Sequence, residues 1–459
     1  MRLIAYMKPY AHWVIFALLL VLGLTAFDLY RPMLVGDAID TFGANGDYDV
    51  IIATAIKYAV VLALSFAFNI AQTWILQKTG QNIILQMRKD LYRHIQSLGS
   101  RYFDITPVGK LVTRVTNDVE ALNEMYSGIL VQLFRNIVKI VGLAGVMLVL
   151  DVRLAAISFV LMPLVIGLTV LCQKIARNIY RLYRTRLTDI NTFLSEHLSG
   201  MKIIQIFGRQ ERKFEEFHDK NTKLYKAFYR EMLMYAVFRP LIYILSILSL
   251  MIVLWFGSRN VFDEIISVGT LYIFSNYIRS FFDPIQELAE QFSTLQSSIA
   301  SAEKIFTVMD EDEFIPEVEN PKQPDKITGK IEFDHVWFAY DGENYVLKDV
   351  SFVINPGEKV AFVGATGAGK SSILNLIGRY YDIQKGHIYI DGIDIRQLSK
   401  KKLRSAIGQM QQDVFIFEGD VAYNIRLNDD DITDAQVKAA AEYVNASHFI
   451  EKLPQGYHE

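Results

Sequence analysis

Residues 360–372 read Val-Ala-Phe-Val-Gly-Ala-Thr-Gly-Ala-Gly-Lys-Ser-Ser, a short apolar run followed by a glycine-rich loop. Gly367 and Gly369 allow the backbone to bend so that successive N–H groups point at one anion. Lys370 and Ser371 open a segment with helical spacing of apolar residues. The order strand, Gly-x-x-x-x-Gly-Lys-Ser, helix predicts a phosphate-binding loop. In such a loop Lys370 reaches the β- and γ-phosphates, and the Ser371 hydroxyl coordinates Mg²⁺.

The composition indicates a membrane part joined to a soluble part. Of the 459 residues, 51% are hydrophobic and 21% are charged, so the apolar residues must be concentrated in some regions. The length predicts at least two domains. A net charge of -3 gives no indication of a nucleic-acid partner. Cys172 is the only cysteine, which excludes an intramolecular disulfide.

Six apolar segments are long enough to cross a bilayer, which takes about 20 residues. They lie at about 11–33, 52–76, 128–150, 154–174, 236–257 and 267–289. The first is longer than the apolar part of a signal peptide, and we expect it to stay in the mature protein. The loop 34–50 is acidic and lacks Lys and Arg, whereas the loops 77–127 and 175–235 are rich in both. The positive-inside rule therefore predicts a multi-pass membrane protein with both termini in the cytoplasm.

Helical spacing of apolar residues continues through both long cytoplasmic loops. The positions are Ile84, Met87, Leu91 and Ile95 in the first loop, and Phe193, Leu194, His197 and Leu198 in the second. We therefore expect helices 2 to 5 to extend beyond the bilayer as stalks that turn at 104–109 and near Gly200 and Gly208. The alternative is two separate cytoplasmic hairpins without a mechanical role.

The rest of the chain is predicted to be an α/β domain of the P-loop type with an antiparallel β layer. We assign residues 1–309 to an α-helical membrane domain with six transmembrane helices and long cytoplasmic extensions, 310–329 to a linker, and 330–459 to the P-loop domain. The predicted strands are Ile331–Tyr340, Val350–Ile354, Lys359–Val363, His387–Ile390 and Ile407–Met410. Helices are predicted near Arg396–Arg404 and from Val421 onward.

Two further positions are candidates for nucleotide chemistry. Tyr340 follows a predicted strand and has an aromatic ring that can stack on adenine. Gln412 follows another predicted strand and has an amide oxygen suited to Mg²⁺ or to an attacking water. Each signal is weak by itself, because tyrosines at strand ends and glutamines in loops are common structural residues.

Several polar residues fall inside the predicted spans, where ionisable groups usually face a cavity or pair with one another. They are Asp28, Asn69, Gln72, Arg135, Lys139, Asn276, Arg279 and Asp283. Arg279 and Asp283 are four residues apart on one helix, so they either pair locally or line a water-filled substrate path with Asp28.

The chain resembles an ATP-binding cassette (ABC) exporter half-transporter with fused membrane and nucleotide-binding domains. Besides the phosphate loop, the matching stretches are Phe103–Val119, Ile203–Glu211, Ser301–Asp310, Tyr340, Asp391–Ile395 and Gln412-Asp413. This resemblance covers nearly the whole chain. It implies ATP and Mg²⁺ as cofactors, and an amphiphilic drug, lipid or peptide as the substrate exported by alternating access. It also implies a second half-transporter, identical or different, and membrane lipid as partners, and a place in the cell membrane.

The resemblance also assigns roles to the site residues. The expected nucleotide-binding residues are Tyr340, Gly364, Ala365, Thr366, Gly367, Ala368, Gly369, Lys370, Ser371, Ser372 and Gln412. Tyr340 is expected to stack on adenine, and Ser371 and Gln412 are expected to coordinate Mg²⁺. The turns of the two cytoplasmic loops are expected to be coupling helices, the second of them docking on the partner's nucleotide domain.

The chain departs from the family pattern in two respects. Gln411 stands where the family usually has proline. No Leu-Ser-Gly-Gly-Gln-type signature, no apolar strand ending in Asp-Glu (the Walker B segment) and no switch histidine is found up to Glu459. We therefore expect ATP hydrolysis from a full-length dimer and not from these residues alone. The alternatives are a nucleotide-binding regulatory subunit, an ATP-gated channel-like protein, and a truncated inactive fragment.

Overall fold

The computed structural model describes residues 2–46, 48–410, 414–427, 429 and 431–459. They form two compact units. One runs to Leu98 and continues from Tyr102 to Phe314, and the other contains Gly99–Arg101 and Ile315–Glu459. We call the first the helical unit and the second the mixed unit, and describe each separately.

The helical unit consists of long helices joined by short breaks, because its apolar runs contain few Gly or Pro residues. Its helices are α1 (Arg2–Met7), α2 (Ala11–Asn45), α3 (Tyr48–Ser97), α4 (Ser100–Ile105), α5 (Val108–Thr113), α6 (Val119–Glu124), α7 (Leu130–Leu150), α8 (Val152–Phe159), α9 (Met162–Ser199), α10 (Met201–Ile206), α11 (Gln210–Phe262) and α12 (Val268–Met309). Most of α4 lies within this unit. Two π-helical turns, Arg114–Asp118 and Met125–Ile129, join α5, α6 and α7 into one path.

Within the described residues, five helical segments are long and apolar enough to cross a membrane. They are Arg2–Gly43, Tyr48–Ser97, Val108–Leu150, Val152–Ser199 and Gln210–Phe262. These segments contain the first five predicted spans. The sixth, 267–289, lies in α12, whose hydropathy is lowered by Asn276, Arg279 and Asp283. Its apolar face nevertheless packs into the core of the unit through Phe274 and Ile278, so the sixth span stays a prediction that this packing supports.

The helical continuation predicted for the first long loop is present, because α3 runs without a break to Ser97. Ile84, Met87 and Leu91 are buried on one face of α3, against Leu122 of α6 and Ile305 of α12. The turn also falls where expected, between α4 and α5. A second core of the helical unit therefore lies between α3, α6 and α12 in the region predicted to be cytoplasmic.

The helix predicted in the second loop is present as part of α9, and its turn falls where expected, but only part of its apolar face is buried. Gly200 and Gly208 flank α10, and Gly208 has a positive φ of 59°. Phe193 is buried and lies 6.2 Å, between ring centroids, from Phe217 of α11. Leu194 and Leu198 are exposed. Burial limited to a narrow stripe is what a helix shows when it packs on one neighbour only.

Helices α2 and α12 approach each other closely at a pair of glycines. A Cβ atom on Gly269 would lie 2.1 Å from the carbonyl oxygen of Gly36 and 2.5 Å from a carboxylate oxygen of Asp40. The Gly269 N–H donates to Asp40 Oδ1 at 2.7 Å. Because Gly269 lies in the first turn of α12, Asp40 also places a negative charge at a helix N-terminus, which is favourable.

The mixed unit is built on an antiparallel sheet with the order β2-β1-β3-β4. Its strands are β1 (Ile331–Phe338), β2 (Leu347–Ile354), β3 (Lys385–Ile390) and β4 (Ile393–Asp394), and its helices are α13 (Lys370–Ile377), α14 (Lys400–Ser405), α15 (Val421–Arg426), α16 (Asp434–Tyr443) and α17 (Ser447–Ile450). Phe333, Val336 and Phe338 of β1 are buried in one core with Ile388 of β3 and Leu376 of α13. The α13 helix that follows the glycine-rich loop is thereby fixed on the sheet.

Two predicted strands are absent from the described residues. Residues Lys359–Val363 and Ile407–Met410 pair with no other strand, and Val363 and Met410 are 93% and 95% exposed. These predictions were wrong because an apolar run becomes a strand only when a neighbouring strand accepts and donates its backbone hydrogen bonds.

The segment predicted as a linker is attached to the mixed unit over much of its length. The Pro316 carbonyl accepts a hydrogen bond from Arg379 Nη2 at 2.8 Å, and the Lys322 N–H donates to the Gln397 carbonyl at 2.7 Å. The residues from Ile315 onward accordingly group with this unit. The domain boundaries given above stay a prediction.

Candidate functional site

The glycine-rich loop has the backbone conformation that its glycines predict. Gly367 and Gly369 adopt positive φ angles of 85° and 86°, which other residues rarely take. Gly369 is also the N-cap of α13, and a Cβ atom there would lie 2.7 Å from a side-chain carbon of Leu347. Gly369 is therefore required both for the turn and for the close approach to β2.

Lys370 folds back over this loop. Its Nζ donates hydrogen bonds to the carbonyl oxygens of Gly364 and Ala365, each at 2.8 Å. The ammonium group thus lies beside the N-terminus of α13, where unpaired N–H groups already favour an anion. A cation, a helix N-terminus and a glycine loop together form an arrangement suited to binding phosphate groups.

The two serines that follow Lys370 have different environments. Ser371 is exposed in the first turn of α13, so its hydroxyl is accessible to a metal ion bound with the phosphates. Ser372 is only 4% exposed, and its Oγ is 2.9 Å from the hydroxyl oxygen of Tyr340. Ser371 therefore fits its predicted role, whereas Ser372 contacts a protein side chain.

The structure brings Tyr340 to the phosphate loop through this contact with Ser372. The Tyr340 ring is half-buried and meets Phe338 and Tyr381 edge-on, with centroid distances of 4.7 and 5.0 Å. Its stacking on adenine stays a prediction. Gln412, the other candidate, lies outside the described residues, as do Gln411 and Asp413.

Two arginines that sequence reasoning missed stabilise the far end of α13. Arg379, 2% exposed, donates from Nε to Asp382 Oδ1 at 2.9 Å. Arg404 donates to the carbonyl oxygens of Gly378 and Arg379 at 3.1 and 2.9 Å. Cations at a helix C-terminus complement its partial negative charge, so an arginine directly after the predicted helix was the available signal.

Two aspartates, Asp391 in the turn after β3 and Asp394 in β4, also organise the mixed unit. Burial alone would raise the pKa of Asp394, but hydrogen bonds from Arg396 and His387 outweigh it and lower the pKa to about 2. Burial likewise opposes ionisation of Asp391. Hydrogen bonds from the Thr328 hydroxyl and from the N–H groups of Lys330, Thr328 and Gly329 nevertheless lower the pKa of Asp391 below its ordinary value. Both carboxylates therefore act as fixed anions that hold loop backbone in place.

The structure brings together some of the polar residues predicted inside the membrane. Asp28 accepts hydrogen bonds from Arg31 of its own helix and from Arg135 Nη2 of α7, the latter at 3.3 Å. Asp28 also lines one cavity together with Lys139 and Asn276.

Arg279 and Asp283, by contrast, take no part in this cavity. Both are exposed, and no ion pair between them occurs in the described part of the chain. The local pair considered for them is therefore not formed.

Comparisons with known proteins agree with this arrangement. A family profile described as ABC transporter transmembrane region matches residues 14–285, and one described as ABC transporter matches residues 347–458. A Streptococcus pneumoniae chain described as an ABC transporter ATP-binding protein is 36% identical over 99% of this chain and 78% of its own length. The Mycobacterium bovis "Fatty acid ABC transporter ATP-binding/permease protein" is 35% identical over 87% of this chain and 63% of its own. The "ATP-dependent lipid A-core flippase" of Desulfotalea psychrophila is 30% identical over 96% of this chain and 77% of its own length.

Proposed function

The chain belongs to the ABC transporter family, and from that premise we propose that it is one half of an ATP-driven exporter of amphiphilic molecules. The observation that carries the proposal is Lys370, held by its own loop at the N-terminus of α13, in a chain that also contains membrane-spanning helices. The relatives described above are named as transporters and a flippase. No feature favours the regulatory-subunit alternative.

We assign the phosphates of ATP to residues Gly364–Ser372, with Lys370 as the cation that meets the β- and γ-phosphates. Tyr340 is assigned to adenine, and Ser371 and Gln412 to Mg²⁺. The exposed hydroxyl of Ser371 fits a hard cation that prefers oxygen ligands. When bound, Mg²⁺ would neutralise phosphate charge, while the chain's own loop orients the nucleotide.

The membrane arrangement is proposed from charge and surface chemistry. We infer that both termini and the stalks lie in the cytoplasm, an orientation that the Lys- and Arg-rich loops support. The short helix α10 exposes Ile203, Ile206 and Phe207, an apolar surface unusual for a solvated turn. That surface supports docking of the second coupling turn on a partner half-transporter. We keep residues 1–309, 310–329 and 330–459 as the membrane domain, linker and nucleotide-binding domain.

ATP hydrolysis by the full-length protein in lipid nanodiscs tests the proposal. We expect Lys370→Ala to abolish hydrolysis that is stimulated by an added amphiphile, because the loop loses its only side-chain cation. Lys401→Ala is the matched control, since Lys401 is an exposed lysine of α14 remote in sequence from the loop. Equal hydrolysis by Lys370→Ala and wild type would contradict the proposed function.

A further inference from the structure

The helical unit contains a polar cavity between α2, α7 and α12. Its volume is 270 Å³. The side chains that line it include Asp28 and Arg31 from α2, Lys139 from α7, and Tyr272 and Asn276 from α12. Charged groups at membrane depth are costly unless they pair or face a polar cavity, and where they occur they often mark a binding site. This cavity is therefore a candidate binding site.

The side chains that line this cavity carry more positive than negative charge, because Arg31 and Lys139 face a single carboxylate, Asp28. Asp28 is shared between Arg31 and Arg135. Within the described residues, no ion pair includes Lys139, and the Nε–H of Arg31 is buried without an acceptor. Lys139 also borders a neighbouring cavity containing Glu287 and Glu290, but neither carboxylate forms an ion pair with it. The Lys139 ammonium group, which lines the cavity without an ion pair, is therefore left to bind an anion.

An apolar groove lies next to the polar cavity. It has a volume of 580 Å³ and lies between α2 and α3. Its lining consists of Val35, Ala38, Ile51, Thr54, Ala55, Tyr58, Ala59, Leu62 and Ala63. Val35 and Tyr58 line both spaces, so the two adjoin each other. From Ile51 to Leu62 the helix rises about 16 Å, which is long enough to bury an extended hydrocarbon chain.

We propose that the cavity and groove together bind an amphiphile with one anionic head group and one hydrocarbon tail, taken up as a substrate. The head, a carboxylate or a phosphate, lies beside Lys139 and Arg31, and the tail lies along the alanine-lined face of α3. The charge imbalance selects the head, and the groove beside it selects the tail. This inference rests on the proposed export function, which it extends by naming the chemical class of the substrate.

Equilibrium binding of radiolabelled laurate and methyl laurate to the full chain in nanodiscs, without nucleotide, tests the head-group site. We expect wild type to bind laurate about tenfold more tightly than the ester, since a charge-assisted contact contributes on that scale. Lys139→Gln should remove this preference and Lys139→Arg should restore it. Lys57→Gln should retain it, because Lys57 is an exposed lysine of α3 that lines neither space.

A second pair of variants tests the tail site. Ala59→Trp fills the groove and should weaken binding of both laurate and its ester, whereas Ala53→Trp, at an exposed position of α3 outside the groove, should not. Equal affinity of wild type for laurate and methyl laurate, or unchanged laurate preference in Lys139→Gln, would overturn the inference.

ATP-dependent export of a neutral amphiphilic dye by wild type reports on the proposed function separately. If the dye is exported and laurate shows no preference, only the anionic site is refuted. If laurate binds through Lys139 and no amphiphile is exported, the export function is refuted and the binding site stands.

Discussion

At the scale of single residues, Lys370 connects α13 to the phosphate loop, and Tyr340 connects α13 to the segment that follows β1. Lys370 holds the loop through the Gly364 and Ala365 carbonyls, and the Tyr340 hydroxyl contacts Ser372 on the buried side of α13. Tyr340 thus has two separable properties, a hydroxyl that contacts the protein and a ring that is proposed to contact adenine.

Substitutions of Tyr340 separate these properties. Tyr340→Phe keeps the ring and should leave ATP affinity within about twofold, at a stability cost of about 1 kcal/mol from the lost hydrogen bond. Tyr340→Ala should weaken ATP binding about fivefold, because stacking contributes about 1 kcal/mol. Fluorescent ATP-analogue binding gives the affinities. If the Phe variant binds as weakly as the Ala variant, the hydroxyl and not the ring supports nucleotide binding.

Asp394 predicts a pH dependence in the mixed unit. Its pKa of about 2 lies below the value of an unfolded aspartate, so ionised Asp394 stabilises the folded state. That stabilisation, about 2 kcal/mol, is fully present above about pH 4 and is lost as the pH falls through about 2.

Hydrogen exchange of the peptide that covers β3 (Lys385–Ile390) measures this effect in the intact chain. We expect its protection to fall from pH 4 to pH 2 in wild type and to change much less in Asp394→Asn. Asp325→Asn, at an exposed aspartate, is the control and should behave as wild type. The same loss of protection in Asp394→Asn would show that other groups cause it.

At the scale of elements, the contact between α2 and α12 depends on glycine. A side chain on Gly269 would overlap the Gly36 carbonyl, which belongs to the backbone and cannot rotate away. Gly269→Ala should therefore destabilise the helical unit by about 3 kcal/mol, at the upper end of overpacking costs.

Thermal unfolding in detergent measures the effect of this substitution. Gly145→Ala in α7 is the matched control, because a Cβ atom there meets no other atom within 4 Å. That control should unfold at or slightly above the wild-type temperature, since alanine favours helix more than glycine. If the Gly269 and Gly145 variants unfold at the same temperature, the close contact between α2 and α12 is not present in solution.

The sequence predicts those elements that form through interactions between residues close together in the chain. The phosphate loop, α13 and the stalk face of α3 were predictable. Their signals, the spacing of glycines and the helical periodicity of apolar residues, depend only on residues close together in the chain. Segments Lys359–Val363 and Ile407–Met410 were not, because a strand depends on a distant partner. The contact of Asp28 with Arg135 joins residues far apart in the chain, and no local pattern indicates it.

At the scale of the whole molecule, the chain combines membrane-crossing helices with a phosphate-binding loop. For ATP from the cell to reach the phosphate loop, that loop must lie on the cytoplasmic side of the membrane, together with both stalks.

Cysteine labelling tests this orientation. In a Cys172→Ser background, a cysteine introduced by Gly43→Cys should react with an impermeant maleimide in intact cells. One introduced by Gly109→Cys should react only after permeabilisation. Both glycines have open space around a Cβ atom, so neither substitution should disturb packing. The reverse labelling pattern would contradict the predicted topology.

The central claim is that nucleotide bound at Lys370 drives transport through the helical unit. The most direct measurement is ATP-dependent uptake of an amphiphilic dye into inside-out membrane vesicles containing the full-length protein. We predict that Lys370→Ala reduces uptake to the level seen without ATP, while Lys401→Ala transports as wild type does. Uptake by Lys370→Ala at the wild-type rate would contradict the account.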